Sequence, residues 1–364
     1  MSEARPKRAK ALRAFEIDFP ETLSPGAYDR MLSRGWFRTG SFLARVSILC
    51  LNGTLRESVH IRIPLARYAP PKSRRRLLRR NRQRFRTEIG PARIDEARCA
   101  LYEKMKPRFV GPITRDLETA LFGPGPRWFE TYECAVYQQE QLVAVSYFES
   151  GRSSVASLLG LHDPDFARFG LGIYTMLEEI EVARQFGNRF FYPGSIIPGL
   201  PGFDYKLGFG PVQFLGSDGR WRHRANAPRR SPRAEALMQR LQAVESALSE
   251  TDHPAVLRLY PAYPLGHIDE LGGAYLSEPA HVQVRTATPS AGCFTVEYDL
   301  HTDSYLLAFA EPDPEIDLYE ECDPVTTPAN TERRARRYQR RVSRSTSPLG
   351  IASALEADLT RAVP

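Results

Sequence analysis

The chain has 364 residues, of which 42% are apolar and 10% aromatic, and it carries a net charge of +7. That length exceeds what one small core needs and suits two domains with appendages. No apolar run approaches the roughly 20 residues of a membrane-spanning helix, and the basic start lacks the apolar centre of a signal peptide, so a cytoplasmic protein without a membrane partner is expected. The five cysteines, Cys50, Cys99, Cys134, Cys293 and Cys322, form no CxxC pair and no Cys/His cluster. Free thiols and no metal site are the expectation.

In chain order, residues 1–24 read as a flexible basic tail. A short helix over Ala27–Ser33 starts near Pro25 and is ended by Gly35. Extended segments follow at Trp36–Leu51 and Glu57–Ile63, with the turn signal Asn52-Gly53 between them. Between Lys72 and Arg86 stand nine basic residues and no acidic one, KSRRRLLRRNRQRFR. A single-sign block repels itself unless an anion neutralises it, and a phosphate backbone is the commonest such anion. Leu77 and Leu78 give the block an apolar stripe, so it reads as an ordered helix. A further helix is expected over Asp95–Lys106.

After a Gly/Pro-rich loop, Phe129–Gln138 and Gln141–Glu149 read as a hairpin and Val155–Leu161 as a strand. Leu171–Phe186 is the clearest amphipathic helix, with Ile173, Leu177, Ile180 and Ala183 on one face and Gly187 closing it. A buried strand, Arg189–Ile197, follows. Hairpin, strand, helix and strand in this order fit an acetyltransferase-like α/β fold. The domain plan is thus a tail (1–24), a first α/β domain with the arginine helix (25–110), a linker (111–127), a second acetyltransferase-like (GNAT-type) α/β domain (128–223) and an α+β extension (224–323). In the extension, Ser231-Pro232 opens a helix as N-cap and first helical residue. Residues 324–364, with ERRARRYQRR, read as a basic and largely disordered tail.

Two stretches resemble one family. YDRMLSRGWFRTGSF, from Tyr28, holds an RGW-R-x-G segment, and the arginine-rich block ending at Asn81 follows some thirty residues later. Residues 163–209 end in Ile197, Pro198, Gly199, Pro201, Tyr205 and Lys206, an I-P-G-x-P-x-x-x-Y-K pattern. Together they resemble the arginyl-tRNA–protein transferases, including bacterial forms that transfer leucine. This chain departs from them in lacking the N-terminal cysteine cluster, Cys50 standing alone there. Leu200, Gly202 and Phe203 also replace the family's cysteine and lysine-methionine positions.

The resemblance implies transfer of an aminoacyl group, arginine or leucine, from aminoacyl-tRNA to the N-terminal α-amine of an acceptor protein, with an acidic N-terminal residue as a possible acceptor. The ester is already activated, so positioning and oxyanion stabilisation suffice. No cofactor is implied beyond aminoacyl-tRNA as co-substrate, and no DNA partner. Tyr205 and Lys206 are the candidate catalytic residues. Trp36, Arg38, Tyr192, Glu179 and Glu181 are candidates for substrate binding. Lys72, Arg74, Arg75, Arg76, Arg79, Arg80 and Arg82 are candidates for tRNA binding. By periodicity Glu179 and Glu181 fall on the solvated side of their helix. Two other readings stay open: a non-catalytic RNA-binding descendant, and an acyl-coenzyme A-dependent N-acyltransferase using the Gly170–Gly172 turn.

Overall fold

The computed structural model describes residues 12–51, 53–109, 114–125, 127–223, 229–251, 253–284, 292–317 and 329–361. The protein is mixed α/β and divides into two compact units. One joins Asp18–Arg45 to Ser58–Arg230; the other joins Met1–Ile17, Val46–Glu57 and Ser231–Pro364.

The first unit is built on a nine-stranded sheet. Its hairpin, β8 (Thr131–Gln138) and β9 (Gln141–Ser150), turns through Gln139 in the left-handed region at φ 54°. β9 then pairs antiparallel with β10 (Ser154–His162). The remaining strands are β6 (Val59–Pro64), β7 (Arg86–Pro91), β11 (Phe190–Tyr192), β12 (Ser195–Ile196), β13 (Gln213–Leu215) and β14 (Trp221–His223). Their order is β14-β13-β6-β11-β10-β9-β8-β7, with β12 also paired to β6. The expected boundary between 25–110 and 128–223 therefore does not separate two sheets. β6 alternates apolar and polar side chains as a sheet strand should, but it finds its partners in β11 and β13, from the second block. The interval 111–127, expected as a bare linker, includes the short helix α4 (Leu117–Leu121), whose Leu117 and Leu121 are buried.

Local chemistry explains where the helices begin and end. α1 (Pro25–Ser33) has proline in its first turn and the Ser24 hydroxyl accepting from Ala27 N at 3.3 Å. α3 (Glu96–Met105) is capped by Asp95, which accepts from Arg98 N at 3.0 Å. The hairpin of β2 (Phe37–Thr39) and β3 (Phe42–Val46) follows α1. α5 (Leu171–Gln185) packs on the sheet, and α2 (Lys72–Arg82) packs on α5 in turn. The shared core includes Ile61, Ile63, Val136, Phe148, Val155, Tyr174, Leu177 and Ile180. Leu77 and Leu78 pack against this core from α2, as the apolar stripe requires. Each such apolar side chain is worth about 1.5–3 kcal/mol on burial.

The second unit contains β1 (Phe15–Asp18), the hairpin β4 (Ile48–Leu51) and β5 (Thr54–Glu57), α6 (Pro232–Ser249), and a sheet of five antiparallel strands. These are β15 (Ala255–Leu259), β16 (Ala280–Val284), β17 (Cys293–Asp299), β18 (Ser304–Asp317) and β19 (Arg334–Ser345), followed by α7 (Pro348–Arg361). Asn52 of the expected hairpin turn lies outside the described residues, as does Cys322. Leu237, Leu241, Val244 and Leu248 of α6 are all buried.

Three expectations are corrected here. The residues before 25 include a strand, and Phe15 is buried edge-on against Tyr263 with ring centroids 5.8 Å apart. Residues 334–361 are a strand and a helix rather than a disordered tail. The arginines of β19 find carboxylates from distant sequence or the preceding turn: Arg337 meets Asp313 at 3.2 Å, Arg336 meets Glu332 at 3.1 Å and Arg340 meets Asp358 at 2.5 Å. At the start of α6, Ser231 and Pro232 hold the expected N-cap and first helical positions, but the Ser231 side chain does not cap. Glu57 does so from β5, accepting from Arg233 N at 2.5 Å, while Ser231 Oγ accepts from Glu57 N at 3.1 Å.

In the first unit Arg98 and Glu133 form a buried two-bond ion pair, Nε to Oε2 at 2.8 Å and Nη2 to Oε1. Removing one member strands the other charge in the interior. Arg98→Met is expected to lower the unfolding free energy by about 3–5 kcal/mol, read from urea denaturation. The double variant Arg98→Met/Glu133→Leu should recover a large part of that loss.

Candidate active site

Strands β11 and β12 run along β6 as one interrupted strand. Phe190 and Phe191 face Pro64 and Ile63, and Ser195 and Ile196 face His60 and Val59. The interruption is Pro193-Gly194. Proline supplies no N–H, Gly194 takes φ 89°, and its carbonyl accepts from Ile61 N at 3.1 Å. On its other side β11 pairs in parallel with β10 for three residues only, from Ser154↔Phe190 to Ala156↔Tyr192. Beyond that point β10 continues along β9 to His162, while β12 follows β6. The sheet therefore opens from Ser157 and Pro193 onward.

The 3-10 segment Pro201–Gly208 lies beside this opening. Lys206 Nζ donates to Ser195 O at 3.0 Å and would sit 3.4 Å from any Cβ added at Gly194. Glycine is thus favoured there by its φ. Burial lowers the Lys206 ammonium to about 8. Burial, reinforced by the charge of Glu179, raises the Tyr205 phenol to about 12. The Tyr205 ring meets Phe209 edge-on at 6.2 Å. Ser195 Oγ lies 3.1 Å from His60 Nδ1, and the His60 ring stacks on Phe37 at 5.4 Å. Arg74 ties the arginine helix to the same segment: Nη2 donates to Tyr205 O and Nε to Gly208 O, both at 3.3 Å.

The residues singled out from sequence fall into different surroundings. Tyr205 and Lys206 are at the opening. Tyr192 is buried core, edge-on to Phe37 at 6.3 Å and to Trp221 at 5.9 Å. Trp36 packs beside Tyr28 and Leu32, with the Arg45 guanidinium 5.4 Å from its ring centre. Arg38 is already paired within the chain. Its side chain is buried and holds Glu149 at 2.8 Å, while Nη1 bonds to Gly40 O at 2.5 Å and to Leu121 O. Glu181 pairs with Arg184 on its own helix at 3.1 Å.

Glu179 reverses its expectation. It is fully buried against the sheet, where Ser146 of β9 and Ser157 of β10 lie beside its carboxylate, so this side of α5 is not solvated. Among the basic residues of α2, Arg82 forms two bonds to Glu178 (2.8 and 2.6 Å) and Arg80 donates to Phe169 O at 3.2 Å. Lys72, Arg75, Arg76 and Arg79 remain exposed. Sequence reasoning missed His60, Ser195 and Arg62. The Arg62 guanidinium lies 4.0 and 4.3 Å from the centres of the Phe190 and Trp221 rings. The Pro-Gly pair at 193–194 was the signal that could have found Ser195.

The Gly170–Gly172 turn opens α5 with Gly170 at φ 63°. Asn81 of α2 is buried there and donates to Phe169 O at 2.9 Å, and Leu77 Cδ1 lies 3.2 Å from where a Gly170 Cβ would be. α2 thus covers the turn on which the coenzyme A reading depends. Among the described residues no group of three His, Cys, Asp or Glu is arranged to hold a metal ion, and no helix is long and apolar enough to cross a membrane.

Residues 94–216, which include the opening and the 201–208 segment, match the family described as "Arginine-tRNA-protein transferase, C terminus". An aspartate/glutamate leucyltransferase of Shewanella oneidensis is 30% identical over 208 residues, which is 55% of this chain and 82% of that one. The chain belongs to the aminoacyl-tRNA–protein transferase family. It is accordingly an enzyme of the transferase class. Other relatives of the same name include one from Leptospira interrogans, 24% identical over 59% of this chain and 85% of its own length. One from Vibrio cholerae is 27% identical over 57% of this chain and 88% of its own. Among solved structures, that of L-PGS from Bacillus licheniformis is similar at a TM-score of 0.32 and 10% identity, over 38% of this chain and 45% of that one, a likeness too slight to bear on the fold.

Burial raises the Glu179 carboxyl to about 8. In the unfolded chain a glutamate titrates near about 4.3, so the folded state binds the extra proton between those values. This group's contribution to stability is full below about 4.3 and is lost as the pH rises through about 8. Glu179→Gln, which cannot ionise, is expected to be more stable than the parent at pH 8 and to lose that advantage near pH 4. Thermal unfolding at both pH values measures the difference.

Proposed function

We propose that the chain transfers leucine or arginine from a charged tRNA to the α-amine at the N-terminus of an acceptor protein, and that the reaction takes place where β10 and β12 part in an acetyltransferase-like core. The observation that carries this reading is the convergence of Lys206, Tyr205 and Arg74 beside the Gly194 break. The acceptor nitrogen bonds to the ester carbonyl carbon, and the bond from that carbon to the ribose oxygen breaks. Lys206, with its ammonium brought down to about 8, takes the proton from the attacking amine and returns it to the ribose oxygen. Tyr205 faces the terminal adenosine, and the exposed Lys72, Arg75, Arg76 and Arg79 meet tRNA phosphates. Acceptors beginning with Asp or Glu follow from what the relatives are named for, not from Arg38, whose charge is already held by Glu149.

Purified protein given leucyl-tRNA or arginyl-tRNA should label peptides with an acidic N-terminal residue. Lys206→Met should cut the turnover number about 100-fold or more and leave tRNA affinity within twofold. The parent's rate should rise with pH through about 8. A folded protein that transfers from neither tRNA contradicts the proposal.

Neutralising two exposed arginines, Arg76→Gln/Arg79→Gln, should weaken tRNA binding. It should also lower the slope of log affinity against log salt by about 1.4–1.8. Filter binding between 50 and 200 mM salt reads both.

A further inference from the structure

Glu179 stands apart from the other buried carboxylates of the first unit. Glu133 is met by Arg98, Glu149 by Arg38 and Thr131, and Glu178 by Arg82. Both carboxylate oxygens of Glu179 are buried without a hydrogen-bond partner, a state it shares with no other carboxylate among the described residues. The hydroxyls of Ser146 and Ser157 lie near enough to favour its ionised form, yet neither closes a bond of normal geometry, and Ser146 Oγ is itself buried and unbonded. A buried polar group left unpaired costs about 1–3 kcal/mol, so three such oxygens in one place are not a packing accident that the fold would favour.

The place itself is defined by the strands. Ser146 faces Cys134 on β8 and Gly160 on β10, and Ser157 lies where β10 leaves regular register and the sheet opens. A Cβ added at Gly160 would find only Ser146 Cβ, at 4.0 Å, so the sheet leaves room beside the serine. Tyr205 links this place to the surface: the residue is 36% exposed, while its phenol end is buried and feels the Glu179 charge. Two carboxylate oxygens and a hydroxyl, all unbonded, match the three N–H groups of an ammonium or one edge of a guanidinium.

We infer that Glu179, with Ser146 and Ser157, is the subsite that binds a cationic nitrogen of the aminoacyl group carried by the tRNA. This rests on the proposed transfer reaction and names the part of the donor that the site reads. The cation has two possible sources. The α-ammonium is common to every aminoacyl-tRNA, and the guanidinium belongs to arginyl-tRNA alone.

The test uses the full chain with leucyl-tRNA, arginyl-tRNA, their N-acetylated forms and uncharged tRNA, each measured by filter binding, beside a transfer assay on the parent. If the α-ammonium is read, N-acetylation weakens binding of both charged tRNAs about tenfold or more. If the guanidinium is read, arginyl-tRNA keeps an advantage of that size over leucyl-tRNA even when acetylated. In either case Glu179→Gln abolishes the difference while binding uncharged tRNA as the parent does, and Ser146→Ala/Ser157→Ala, which leaves the carboxylate in place, reduces it. If Glu179→Gln keeps the parent's discrimination, or the parent binds charged and uncharged tRNA alike, the inference is overturned. A parent that still transfers in that case leaves the transfer reaction standing, whereas a parent that transfers from no charged tRNA removes the reading beneath it.

Discussion

β11 can pair with β10 for three residues and no more, because Pro193 brings no N–H and Gly194 bends the strand toward β6. That one interruption sets where the sheet opens. It leaves Ser157 and the residues after it without a parallel partner strand. It also exposes Ser195 O to Lys206 and brings the 201–208 segment against the gap. A sheet continuous through this point would have no opening between β10 and β12.

The arginine helix is tied to the same gap rather than being a separate electrostatic feature. Leu77, Leu78 and Asn81 fix α2 against α5, and Arg74 reaches across to the carbonyls of Tyr205 and Gly208. One set of arginines is therefore bonded within the first unit, while another stays exposed. Arg74, Arg80 and Arg82 belong to the first set, and Arg76 and Arg79 to the second. Under the proposed reading, Arg74 would join binding of the tRNA body to placement of its 3′ end, since its two bonds hold the segment that bears Tyr205 and Lys206.

Much of this was legible in the residues. α5 starts and stops at the glycines that the sequence marks, and the β8–β9 hairpin turns where expected. Lys206 and Tyr205 lie together at the break. What was not legible depended on distant partners. The segment around Arg334–Ser345 reads as disordered because its own residues are strongly basic, yet Asp313 and Asp358 supply the balance from other elements. Glu179 reads as solvated because it lies off the first apolar stripe of α5, yet it faces Ser146 and Ser157 of the sheet from within the core. Arg38 lies within the RGW-R-x-G segment and so reads as a contact to substrate, whereas Glu149, more than a hundred residues away, holds it in the interior.

The central claim is that the aminoacyl end of the tRNA enters the gap between β10 and β12. Charging tRNA with the photoreactive leucine analogue photo-leucine, irradiating the complex and sequencing the crosslinked peptides tests it most directly. The account predicts crosslinks on the peptides that hold Ser157, Tyr205 and Lys206, diminished in Arg74→Ala. Crosslinks confined to residues 255–361, with none on those peptides, would contradict it.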